Sequence, residues 1–277
     1  MSVPDNMPIR SEQGEARSRN HADSLAGAEA DIALARGILY AAAALGLETP
    51  NAETLHRLTA TDAVAALSEA AALVEQGGDA PDLTTLAQVL ERDDALADVE
   101  AAHLALFGHT ARGPVAAYET EYGHEALFEQ PQQLADLSGI LAAFGLESRH
   151  DSRQRLDHVS AECELMAFLS QKEAWALDND DQAMLAATRR ASEVVLREHL
   201  GRFVPALAAR IGRAAPGSFH DRVATLLLAL VRSDSTRLGV PLGADTLALR
   251  PDPEAVAAPM GCTSAGDGPC SGSGCGP

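Results

Sequence analysis

Three carboxylates and one imidazole crowd a short stretch of this chain: Asp157, His158, Glu162 and Glu164. Asp157 and Glu164 lie seven residues apart, and His158 and Glu162 four apart. On a helix starting near Leu156, each pair shares a face and the two faces adjoin. Paired acids on a rigid helix suit bidentate capture of a guanidinium. The same residues also admit a structural use, with Asp157 as a helix N-cap, His158 as a packing residue and Glu162 as a solvated acid. Tyr118, Glu119 and Tyr122 form a second group, whose rings could stack on a cation or pin a loop to the core.

Two further patterns could hold metal. Cys262, Cys270 and Cys275 sit in a Gly/Pro/Ser-rich tail, separated by seven and four residues. That spacing matches neither a zinc finger nor a ferredoxin, though three thiolates could hold a soft metal or an iron–sulfur precursor with a fourth ligand from elsewhere. A tail of reduced thiols is the alternative. His150-Asp151 and His220-Asp221 are His-Asp doublets of the kind that all-helical HD-type metal phosphohydrolases use. Such ligands need a rigid helix, whereas the first doublet lies in a polar linker and the second at a helix start. Lys172 is the only lysine and lacks the glycine-rich setting of a phosphate loop.

The elements that must position these groups read as helices. Hydrophobic residues make up 46% of the 277 and aromatics only 4%, so alanine and leucine supply most of the apolar surface and strand formers are sparse. Helical patterns are expected over about 22–45, 52–77, 83–107, 131–144, 156–177, 181–211 and 217–232, with Pro205 kinking or dividing the long one. An ordered loop, with a helical turn at most, is expected over 108–123, and a hinge-like linker over 147–154. The chain thus reads as a single all-α domain over 23–235, between a disordered head (1–22) and an extended tail (236–277).

A formal net charge of −19 leaves no basic excess to neutralise phosphates, which argues against nucleic acid and anionic lipid. No stretch reads as long and apolar enough to span a bilayer, the best run being 224–231. The polar N-terminus does not read as a secretory signal. Few cysteines and no disulfide framework point to the cytoplasm.

Three segments, in order, resemble the TorD/DmsD/NarJ family of molybdoenzyme maturation chaperones. The first is His103-Leu-Ala-Leu-Phe107 followed by Pro114, Tyr118-Glu119-Thr120 and Tyr122. The second is Ala135-Asp136 through Gly139 to Ala143-Phe144-Gly145-Leu146. The third is Leu156-Asp157-His158-Val159 through Glu162-Cys163-Glu164-Leu165-Met166. With the region around His199 and Pro205, the resemblance covers about 30–235. Leu156, Cys163, Ala117 and Thr120 depart from the family pattern, mildly for the fold but enough to obscure which enzyme is served.

The resemblance implies a non-enzymatic chaperone for the apo catalytic subunit of a molybdenum enzyme. It implies binding of that subunit's twin-arginine signal peptide, support for molybdenum-cofactor insertion, and contact with cofactor-synthesis proteins. It further implies a monomer or helix-swapped dimer. The client-binding residues it points to are Asp157 and His158, with Glu162, Glu164, Tyr118, Glu119 and Tyr122 nearby. A leader with a basic head and an apolar body calls for an apolar groove rimmed with acids. Burying about 400 Å² of apolar surface is worth about 10 kcal/mol gross, of which ordering the segment removes about 2–5. Exposed ion pairs add only about 0.2–1 kcal/mol each, so the groove sets affinity and the acids set orientation. On this expectation, replacing Asp157 and His158 with alanine weakens peptide binding tenfold or more and leaves helical content intact. A helical adaptor without a redox role is the plain alternative.

Overall fold

The computed structural model describes residues 9–77, 82–88, 94–109, 113–123, 129–147 and 154–251, with side chains from residue 25 onward. Among these, ten α-helices and one 3-10 turn form, with no named strand. The helices are α1 (Ile9–Leu47), α2 (Ala52–Thr59), α3 (Thr61–Gln76), α4 (Leu83–Gln88), α5 (Leu96–Phe107), α6 (Glu129–Ala143), α7 (Val159–Asp178), α8 (Gln182–Glu198), α9 (Leu200–Ala214) and α10 (Phe219–Leu238).

The centre of the fold is the antiparallel pair α1 and α7. Ala30, Ala33, Gly37, Tyr40, Ala44 and Leu47 recur at spacings of three and four and are buried as one stripe of α1. Small residues let the backbones approach closely: a Cβ added at Gly37 would stand 3.3 Å from the carbonyl of Ala167. The α7 side supplies Val159, Cys163, Met166, Ser170 and Ala174 at the same helical spacing. Helices α3, α9 and α10 complete a single main core.

α1 begins at Ile9, within the segment read as a disordered head. Its Leu25–Leu47 part is long and apolar enough to cross a membrane by composition, contrary to the sequence reading. Of its most apolar 18 residues, 67% are buried inside the fold, which is how a core helix satisfies the same apolar test. The patterns at 52–77 and 83–107 each divide in two, the first at the extended Ala60. The long pattern divides at His199 rather than at Pro205. Proline has no N–H to give the carbonyl four residues back, and that carbonyl, of Gly201, instead accepts a 3.0 Å bond from the N–H of Gly243. A Cβ at Gly243 would lie 1.9 Å from the oxygen of Arg202, so only glycine fits there. Residues 240–251, assigned to the extended tail, fold back to pair Leu249 with Tyr122.

A charged cluster that the sequence reading missed ties α1, α7, α8 and α10 together. Buried Glu173 accepts from Arg189 Nε at 2.9 Å and Arg237 Nη1 at 3.2 Å, and Arg36 lies 3.6 Å away. Buried Asp234 accepts from Arg237 Nε at 2.9 Å and Tyr40 Oη at 3.0 Å. Burial, then the Asp234 charge, pushes the Tyr40 hydroxyl well up, so it stays a donor.

Candidate functional site

The loop at 113–123 is held between two chain segments. Glu119 N–H donates to Asp157 O at 2.8 Å and Val159 N–H to Ala117 O at 2.9 Å. On the other side, Arg250 N–H donates to Glu121 O at 2.8 Å. A 3-10 turn at Glu119–Glu121 then points successive side chains into different neighbours.

Glu119 is the hub. Its carboxylate, fully buried, meets His199 Nδ1 at 3.0 Å and accepts from Arg202 Nη2 at 3.0 Å and Gln133 Nε2 at 3.2 Å. One side chain thus joins the loop, α6 and α9. Thr120 Oγ1 donates to Asp157 Oδ2 at 2.7 Å, and Arg155 grips both Asp157 oxygens at 2.9 Å. The Arg155 guanidinium also lies 4.5 Å from the Tyr118 ring centroid. Tyr122 is buried and its hydroxyl donates to Ala116 O at 2.8 Å.

His158 caps α7: its Nδ1 accepts from Ser160 N–H at 3.2 Å, while Tyr118 packs on the ring edge-on. Burial pushes this imidazole down to about 4, which keeps it neutral and able to accept. Glu162, 1% exposed, has neither carboxyl oxygen bonded among the described residues. Burial first, then the charges of Glu119 and Asp157, push its carboxyl well up, so it is held neutral.

The expected acidic fringe is therefore mostly interior. Asp157 is 0% exposed, and Glu119, Tyr122, His158 and Glu162 are buried with it. The physical reason is where α7 starts. Its N-cap is His158, so Asp157 precedes the helix and faces the loop rather than sharing a face with Glu164. The tenfold-binding, fold-neutral outcome expected for the Asp157 and His158 replacements is revised accordingly, because both side chains hold the loop and the helix start. The structure brings Tyr118, Glu119, Asp157, His158 and Glu162 into one network. Glu164 alone of the named acids is exposed.

Glu164 lines a groove of about 300 Å³ between the end of α6 and the start of α7. Leu141, Leu146, Leu156, Leu165 and Phe168 give its apolar wall, and Glu147, Gln154, Arg155 and Glu164 its polar one. Glu48 lies close by: burial, then the Glu164 charge, raises its carboxyl. Arg155 also lines this opening, with its Nε and Nη2 engaged by Asp157, so part of its charge is already balanced. Gly145, at φ +69, ends α6 and turns the chain so that Leu146 and Glu147 reach the groove. A neighbouring groove lies between α6 and α8, with Phe144 and Phe168 packed edge-on between the two.

Residues that the sequence reading did not assign are Arg155, Thr120 as a donor, Gln133, Arg202 and His199. Thr120 and His199 fall within the segments that carry the resemblance, but no local spacing marks any of the five as a partner. The thiols Cys262, Cys270 and Cys275 and the doublet His150-Asp151 lie outside the described residues. The other doublet splits: His220 is buried against Phe107, Phe219 and His103, whereas Asp221 accepts from Gly217 N–H at 2.7 Å. The two side chains do not converge on one centre, and no cluster of three metal-ligating side chains exists among the described residues.

A family model described as nitrate reductase delta subunit matches residues 75–209. A search of curated proteins finds no match.

Proposed function

Because this chain belongs to the nitrate reductase delta subunit family of NarJ/TorD-type maturation chaperones, we propose that it holds a molybdoenzyme's catalytic subunit by an apolar, basic-headed leader. The family is one of maturation proteins rather than catalysts. The supporting observation is the groove beside α7, with an apolar wall and with Glu147 and Glu164 at its polar side. The leader's apolar residues enter against Leu141, Leu165 and Phe168, and its arginines meet the two carboxylates.

The buried network has a different part in this reading. Glu119, Asp157 and His158 fix the positions of α6 and the α7 start, and so the shape of the groove between them. Family members act by holding back a client until its cofactor is in place. The cofactor is accordingly proposed as the client's cargo, with the cytoplasm as the compartment where loading occurs.

Titration calorimetry with a synthetic peptide carrying an Arg-Arg head and an apolar body tests this. The wild-type chain is expected to bind it, and Glu147→Lys with Glu164→Lys to weaken binding about tenfold, since each exposed pair of about 0.2–1 kcal/mol turns from attraction to repulsion. Helical content should not change. Equal affinities for the two proteins refute the groove assignment.

A further inference from the structure

The acid-sided groove continues past its ring-lined wall. Ala161, Leu165, Phe168 and Lys172 follow one another along α7 at spacings of four, three and four, a stripe of about 16 Å by helix rise. The first three line the groove already described, and Lys172 lines its neighbour. This second groove holds about 450 Å³ and is floored by Ile140, Met184, Ala187 and Val194. Its charged lining groups are Lys172 and Arg190, with no carboxylate among them.

Two cations and no acid at an apolar groove run against the background of this chain, which carries a net charge of −19 and a single lysine. Two carboxylates, beside an Arg155 already paired to buried Asp157, stand at one end of the stripe, and an ammonium and a guanidinium at the other. We infer that the two grooves are one docking trough with a built-in direction. Its occupant is a client segment with a basic head at Glu147 and Glu164, an apolar middle across Phe144 and Phe168, and a carboxylate-bearing far end at Lys172 and Arg190. This inference rests on the leader-binding reading above and adds the polarity.

The apolar middle is blind to direction, because burial depends on area alone. Charge decides it. Laid the other way, the segment would put its arginines beside Lys172 and Arg190 and its acids beside Glu147 and Glu164, with like charges meeting at both ends. Trp175, the only tryptophan, is 49% exposed one turn beyond Lys172. The Lys172 ammonium lies 5.8 Å from the Phe168 and Trp175 ring centroids alike, so Trp175 fluorescence reports on this end.

The test uses the full chain and two peptides with an Arg-Arg head and an apolar body, one ending in Glu-Glu and one in Gln-Gln. Each carries a photo-crosslinking residue at either the head or the far end. The head is expected to crosslink within residues 156–165 and the far end within 184–194. Lys172→Glu with Arg190→Glu should weaken the Glu-ended peptide about three- to tenfold and leave the Gln-ended one unchanged. Trp175 emission should shift on binding of the Glu-ended peptide to wild type. Heads found at 184–194, or both ends at both grooves, overturn the polarity while leaving leader binding standing. Failure of both peptides to bind overturns both.

Discussion

Glu119→Ala should lower the free energy of unfolding by about 3–5 kcal/mol, the usual cost of removing one partner from a buried ion pair. The carboxylate is fully enclosed and faces His199, Arg202 and Gln133. Without it, His199 is left buried with neither ring nitrogen bonded among the described residues, since its Nε2 already has no partner. Arg202 would keep only carbonyl acceptors, Glu119 O at 3.2 Å and Tyr122 O at 3.5 Å. Urea unfolding followed by circular dichroism measures the loss, which should appear as a lower midpoint at an unchanged slope. A change under about 1 kcal/mol would mean the hub is not what joins loop, α6 and α9.

The second large effect is on acid stability. Burial holds His158 and His220 down to about 4 from an ordinary 6.5. Between those values the unfolded chain binds protons that the folded chain does not, so stability rises with pH across the window and is lost as pH falls from about 6.5 toward 4. A shift of that size corresponds to about 3 kcal/mol per histidine. Glu162 works in the opposite sense, because its raised carboxyl holds a proton in the fold that the unfolded chain releases. The raised Glu48 carboxyl acts in the same sense as Glu162, but His103, also lowered by burial, joins His158 and His220, so the lowered histidines outnumber the raised acids. Denaturant titrations from pH 4.5 to 7 should therefore show falling stability toward acid, and His220→Gln should flatten that slope. An unchanged slope in the variant would show that His220 is not held neutral.

How far the sequence revealed this arrangement depends on the range of the interaction concerned. Local periodicity was enough for α6, whose Leu134, Leu137, Ile140, Leu141 and Phe144 recur helically before Gly145 at φ +69. It was also enough for the loop, whose described residues 113–123 carry a turn at Glu119–Glu121. The order of the three motifs led to the family over the region 75–209.

Burial of the acids was not legible, because no local pattern pairs Glu119 with Arg202, 83 residues on, or Thr120 with Asp157, 37 on. Helical spacing assigns residues to faces but not to neighbours. α7 is covered around most of its circumference, so Glu162 and Glu173 are interior although acidic. A start two or three residues early on that helix was enough to put Asp157 on a face it does not occupy. The grooves were legible only as a requirement of the resemblance. Their walls come from α6, α7 and α8, whose approach is set by the buried network.

Hydrogen exchange on the full chain, with and without the Arg-Arg-headed apolar peptide, tests the leader-binding reading most directly. Added peptide should slow exchange in residues 140–147 and 159–172, the two walls of the groove. The loop at 113–123, already enclosed, should change little. Slowed exchange confined to other helices, or none at saturating peptide, would contradict it.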